Sequence, residues 1–141
     1  MSEIELFKTS VPKKIKRFAI NNFGVEIIVA ESLKKAGIYS DDKKSNNADV
    51  VYINNIVFVK KYTKHKADDL SFLILKCLGL AVIHHFKYQN LKITKINEEI
   101  QAIGIAFSLA VFLKIRVSKM MIRNLNRLIS VDDSKQFFLE F

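Results

Sequence analysis

Phe72-Leu73-Ile74-Leu75-Lys76-Cys77-Leu78-Gly79-Leu80-Ala81-Val82-Ile83-His84-His85 is the stretch that decides how this chain folds. Apolar residues occupy nearly every side of the helical period rather than one stripe. That pattern predicts a central helix, buried almost all round and running to about Lys87. Asp68 or Asp69 is the expected N-cap. The longest apolar runs, 70–86 and 100–113, are broken by Lys76 and by Gln101 and Ser108. A membrane-spanning helix needs about 20 mostly apolar residues. Two buried core helices are therefore expected in preference to a membrane hairpin.

Working outward, a second buried helix is expected to start near Asn97, where Asn97, Glu98 and Glu99 suit the positive end of the helix dipole. It continues through Ile103, Phe107 and Phe112. Ser118 is a good N-cap for a further helix reaching about Ile129. On the other side, Pro12 and Gly24 bracket a short amphipathic helix, Lys13 to Phe23. Val25 to Ala30 is β-rich, residues 31–38 predict one helical turn ending near Gly37, and 40–48 read as a polar loop. Val50 to Ile53 and Ile56 to Val59 flank Asn54-Asn55, a pair that tolerates the positive φ of a tight two-residue turn. A basic loop with Lys60, Lys61, Lys64, His65 and Lys66 follows. Strands come first and helices last, which predicts an α+β domain: a small antiparallel sheet or hairpin packed against about four helices. The whole chain, 1–141, reads as a single domain with a tail over 130–141, whose Phe137, Phe138, Leu139 and Phe141 are expected to dock.

With 141 residues, half of them hydrophobic, the chain is long enough for one real core and is not a disordered sequence. Cys77 is the single cysteine, so no internal disulfide forms. Lys13, Lys14, Lys16 and Arg17 are not followed by an apolar stretch with a cleavage site. A reducing, cytoplasmic setting is the expectation. The net charge of +9, from 23 basic and 14 acidic residues, points to nucleic acid, an acidic protein face or an anionic membrane surface as partner. Lysines scattered along a Lys- and Asn-rich chain equally fit plain compositional bias.

Leu78-Gly79 and His84-His85 stand where a metallopeptidase helix reads A-H-E-L-G-H-x-x-x-H. Such a helix works because positions i and i+4 share a face. Two imidazoles then converge on one zinc, and the Glu beside the first is the general base for the metal-bound water. Here the two ligand positions read Lys76 and Leu80, and the base position reads Cys77. A charged ammonium has no lone pair and repels a cation, leucine cannot ligate, and a thiol does not replace the carboxylate base.

Further along, Glu99-Ile100-Gln101-Ala102-Ile103-Gly104-Ile105-Ala106-Phe107-Ser108-Leu109 fits a frame E-x-x-A-x-x-F-A-x-x-L, with Ile105 for the first Phe. Val117-Ser118 followed by Arg127-Leu128 is similar to a later V-S-x-x-x-x-x-R-L segment, with longer spacing. Together these resemble the ImmA/IrrE family of metallopeptidases over most of residues 13–129. The Leu-Met-Pro that usually follows the Glu helix is absent, and the stretch before Val117 is short. The resemblance implies a zincin-like core, with Glu99 as the leftover third ligand beside Lys76, Cys77 and Leu80. It also implies a gene-control setting, since family members act on DNA-binding repressors, often in mobile elements. No catalysis, metal or cofactor is expected of a chain that has lost these positions.

Two other readings remain open. His84 lies on the face of the former ligand positions, and with Glu99 it forms the start of a shifted metal site that lacks a third convincing ligand. Cys77 as a nucleophile served by His84 or His85 is disfavoured, because a Cys inside an apolar helix behaves as a small hydrophobe. The segment 114–127 carries Lys114, Arg116, Lys119, Arg123 and Arg127 with no acid among them. The last four are spaced 3, 4 and 4, which predicts one shared helical face for a protein partner or for nucleic acid. Without interleaved aromatics, this face does not predict a stacking platform for single strands. The expected function is a pseudo-metallopeptidase acting as a regulatory protein-interaction module, with nucleic-acid binding as the first alternative.

Overall fold

The computed structural model describes residues 5–87, 95–116 and 118–133, and side chains over 5–85, 98–116 and 118–126. The elements in order are β1 (Phe7–Lys8), α1 (Lys13–Phe23), β2 (Glu26–Ala30), α2 (Lys43–Asn47), β3 (Val50–Ile53), β4 (Ile56–Lys60), β5 (Tyr62–Thr63), α3 (Ala67–Lys87), α4 (Lys95–Phe112) and α5 (Lys119–Asp133). This is an α+β chain with five helices and two small sheets.

The helix α1 forms between its two punctuating residues as expected, and Gly24 ends it in the left-handed region at φ 65°. The Asn54-Asn55 turn is also as predicted, with both residues at positive φ, 49° and 63°. It pairs β3 with β4 in antiparallel register, Ile53 opposite Ile56 and Val51 opposite Phe58. The expected all-antiparallel sheet is corrected by β2. This strand lies parallel to β4, with Ile28 opposite Phe58, so the sheet is mixed, in the order β2-β4-β3. The hairpin leaves one edge of β4 open, and alternation of apolar residues encodes which face a strand buries, not which way it runs. As the central strand, β4 is buried on both sides: Val57 and Val59 at 0% exposure, Phe58 at 1%.

Three further differences are local. The polar loop contains the short helix α2, because the Asp42 carboxylate accepts from Lys44 N–H at 3.0 Å and from Ser45 Oγ at 3.1 Å. The helix α3 begins at Ala67, so Asp68 and Asp69 lie in its first turn, where they complement the dipole rather than cap it. Part of the basic loop is strand β5, which pairs with β1 through Phe7–Thr63 and Lys8–Tyr62.

The expectation of a central helix for 72–85 holds. The helix α3 packs most extensively on α4 and also meets β3, β4, α1 and α5. Phe72, Ile74, Leu75 and Leu78 are fully buried, in one cluster with Ile15 of α1, Val57 and Val59 of β4, Ile103 of α4 and Met121 of α5. Gly79 sets the closeness of the α3–α4 seam: a Cβ there would come within 2.6 Å of the Ala102 carbonyl oxygen and 2.9 Å of its Cα. Ser118 caps α5 as expected, its Oγ accepting from Met121 N–H at 3.2 Å. The side chains expected to dock from the tail, Phe137, Phe138, Leu139 and Phe141, lie outside the described residues. No helix among the described residues is long and apolar enough to cross a membrane.

Candidate functional site

The seam between α3 and α4 gathers the positions singled out in the sequence. Helical spacing puts Lys76, Leu80 and His84 on one stripe of α3, half-buried at Lys76 and Leu80 and exposed at His84. The Lys76 ammonium reaches across to α4 and donates to Glu99 Oε1 at 3.2 Å. Two turns along the stripe, His84 Nε2 lies 2.8 Å from Glu98 Oε1. Lys76 and Glu99 are thus brought together, with Leu80 presenting an isobutyl group one turn from the ion pair.

Cys77 points the other way, into the core, at 8% exposure. Burial pushes its thiol up to about 12, against a smaller opposing pull from the Lys76 charge. A buried thiol raised in this way behaves as a small apolar side chain of the core.

The two residues of the shifted metal site each meet a further partner. His84 contacts Glu98, whereas Glu99 is engaged by Lys76. Among the described residues, no three His, Cys, Asp or Glu side chains gather in a metal-holding group. His65 is tied elsewhere, 3.6 Å from Asp49.

Sequence reasoning missed the surroundings of His84. Tyr52 on β3 packs edge-on against the imidazole, with ring centroids 5.7 Å apart, and its hydroxyl donates to Asn55 Oδ1 at 2.9 Å. These residues stand beside a cleft of about 900 Å³ between the hairpin and α3, walled by Phe23, Val25, Ile53 and Ala81. The signal for Tyr52 was only its place in a strand flanking the turn, which says nothing of a neighbour 32 positions away.

The basic segment is split. Lys114 and Arg116 precede α5 in the connection from α4, so the 3-4-4 spacing does not place Arg116 on a shared helical face. Instead Arg116 Nε lies 3.8 Å from Asp68 Oδ2 at the start of α3, with both side chains well exposed. Lys119 and Arg123 do lie together on the exposed face of α5, opposite buried Met121. The Arg127 side chain and Val117 lie outside the described residues.

Lys114 adopts φ 56°. Its N–H donates to Val111 C=O at 3.2 Å and that of Ile115 to Ala110 C=O at 2.7 Å, the pairing of a Schellman motif that ends α4. The Lys114 carbonyl in turn accepts from Lys14 Nζ of α1 at 3.1 Å.

No protein-family profile, curated protein or solved structure matches the chain.

Proposed function

We propose that this protein is a non-catalytic pseudo-metallopeptidase of ImmA/IrrE type that works as a regulatory interaction module, binding a DNA-binding repressor or another gene-control component by occupancy. The observation that carries the reading is the Lys76–Glu99 pair. In a zincin-like seam, a divalent cation would neutralise that carboxylate. Here a tethered ammonium supplies that positive charge from the chain itself. The close approach at Gly79 and Ala102 fits the same frame, since the helices must lie near each other for groups on both to meet.

Metal analysis of purified protein tests the first half. The native chain is expected to take up no zinc, and the double variant Lys76→His, Leu80→His is expected to take one zinc per chain with Glu99 as third protein ligand. Stoichiometric zinc on the native chain, together with cleavage of a protein, would end the proposal. Co-purification tests the second half. A bound gene-control protein that survives nuclease treatment supports it, whereas a complex that nuclease dissolves does not.

The second reading, a nucleic-acid-binding domain, is favoured by one observation: Lys119 and Arg123 both stand on the exposed face of α5, with Lys114 and Arg116 close to its start. Such binding falls by orders of magnitude between low and physiological salt when several phosphates are contacted.

A further inference from the structure

Two segments without acids meet where α1 approaches the end of α4. Between Glu5 and Glu26 there is no acidic residue, and between Glu99 and Asp132 there is none either. The first segment brings Lys13, Lys14, Lys16 and Arg17 on α1, all exposed. The second brings Lys114, Arg116, Lys119 and Arg123, exposed as well. These eight cations compare with a net charge of +9 for the whole chain, so the charge surplus is gathered on α1, the α4–α5 connection and α5. One acid reaches them among the described ion pairs, Asp68 at Arg116.

The segments are joined by two contacts. Lys14 Nζ donates to the Lys114 carbonyl at 3.1 Å, and the Phe18 ring lies 5.6 Å from that of Phe112, centroid to centroid. Beside this junction the last turn of α4 leaves two apolar side chains in water, Val111 at 73% and Phe112 at 69% exposure. Neither lines the cleft between the hairpin and α3.

We infer that the junction of α1 with the end of α4, where Val111 and Phe112 stand exposed and Phe112 and Lys114 are met by Phe18 and Lys14 of α1, is a docking surface for an anionic lipid bilayer. Charge complementarity limits the partner to something acidic, and the apolar pair decides between the candidates. Phosphates and bases can use the cations and the Phe112 ring, but an exposed valine gains nothing from either. An acidic amphipathic helix would need a groove, and these two side chains stand outside the cleft between the hairpin and α3, projecting 73% and 69% exposed. A bilayer interface accepts both parts: the valine and phenylalanine enter the acyl boundary while the cations remain among anionic headgroups. The inference does not depend on the Lys76–Glu99 pair.

The test uses the full chain with Phe112→Trp, the chain having no tryptophan of its own. In buffer, the indole should emit as an exposed group. Vesicles containing phosphatidylglycerol should shift its emission to the blue and carry the protein with them on flotation, while pure phosphatidylcholine vesicles should not. Raising the salt should weaken the effect. The variant Lys14→Gln, Lys114→Gly should bind roughly tenfold to thirtyfold more weakly, and Val111→Ser, Phe112→Ser at least tenfold more weakly, both with native circular dichroism. Absence of anionic-vesicle binding by the native chain, equal binding to neutral vesicles, or displacement from vesicles by a single-stranded oligonucleotide held on the same residues would each overturn the inference.

Discussion

The Lys76 ammonium of α3 lies 3.2 Å from the Glu99 carboxylate of α4, side chains 23% and 42% exposed, so an ion pair bridges the two most extensively packed helices. Partial exposure keeps such a pair modest in energy, because water screens the attraction and both side chains lose freedom. A double-mutant cycle with Lys76→Met and Glu99→Gln, read by urea unfolding, is expected to show a coupling of about 0.5 kcal/mol. A coupling of zero would mean that the charges do not hold each other in solution.

The two glycines of the α3–α4 pair should respond in opposite directions to the same change. Gly79→Ala places a methyl group 2.6 Å from the Ala102 carbonyl oxygen, a backbone atom that moves only with its helix. The gain in helix propensity is outweighed, and a loss of about 1–3 kcal/mol is expected. Gly104→Ala meets nothing within 4 Å and should stabilise α4 by about 0.5–1 kcal/mol. Thermal or urea unfolding of the two variants side by side checks both signs.

Lys114 holds a left-handed backbone at φ 56° where glycine is the usual occupant. Lys114→Gly is expected to raise stability by about 1 kcal/mol, since the Cβ penalty of that conformation disappears. Gly24→Ala, at φ 65° after α1 with open space around its Cα, should cost a similar amount. Equal midpoints for Lys114→Gly and the native chain would show that the left-handed turn is not populated.

Cys77 links stability to alkaline pH. Burial raises its thiol from 9.0 to about 12 in the folded protein. The folded state therefore keeps a proton that the unfolded chain releases, so this contribution is complete below about pH 9 and is lost as pH rises towards 12. Stability should fall over that window in the native chain and fall less in Cys77→Ala, measured as denaturation midpoints from pH 8 to 11. At pH 8 the native thiol should resist a thiol reagent until the protein unfolds. Rapid labelling of the folded chain would contradict the burial.

How far the residues announced this arrangement depends on the range of the interaction. Pro12 and Gly24 around α1, Asn54-Asn55 between β3 and β4, and Ser118 ahead of α5 act within a few positions, and each forms the local structure read from it. The buried helix followed from apolar residues on all its sides. The partners of the stripe on α3 were only half legible: Glu99 was expected near Lys76, but Glu98 was not expected at His84, nor Tyr52 beside it. The 3-4-4 run of cations misled, because a spacing predicts a shared face only where the helix continues, and the left-handed Lys114 had already ended one helix before Ser118 began the next.

By itself the order of residues determined where the longer helices and the β3–β4 hairpin form, that α3 is buried, and that Lys76 and Leu80 cannot ligate a metal. These follow from hydrogen bonding, side-chain shape and polarity over short distances. Tertiary structure alone decided that β2 runs parallel to β4, that Lys14 meets Lys114 and that Val111 and Phe112 are left in water beside them. Those outcomes depend on contacts across many tens of residues, where many pairings satisfy the same local preferences and close packing in three dimensions selects one of them.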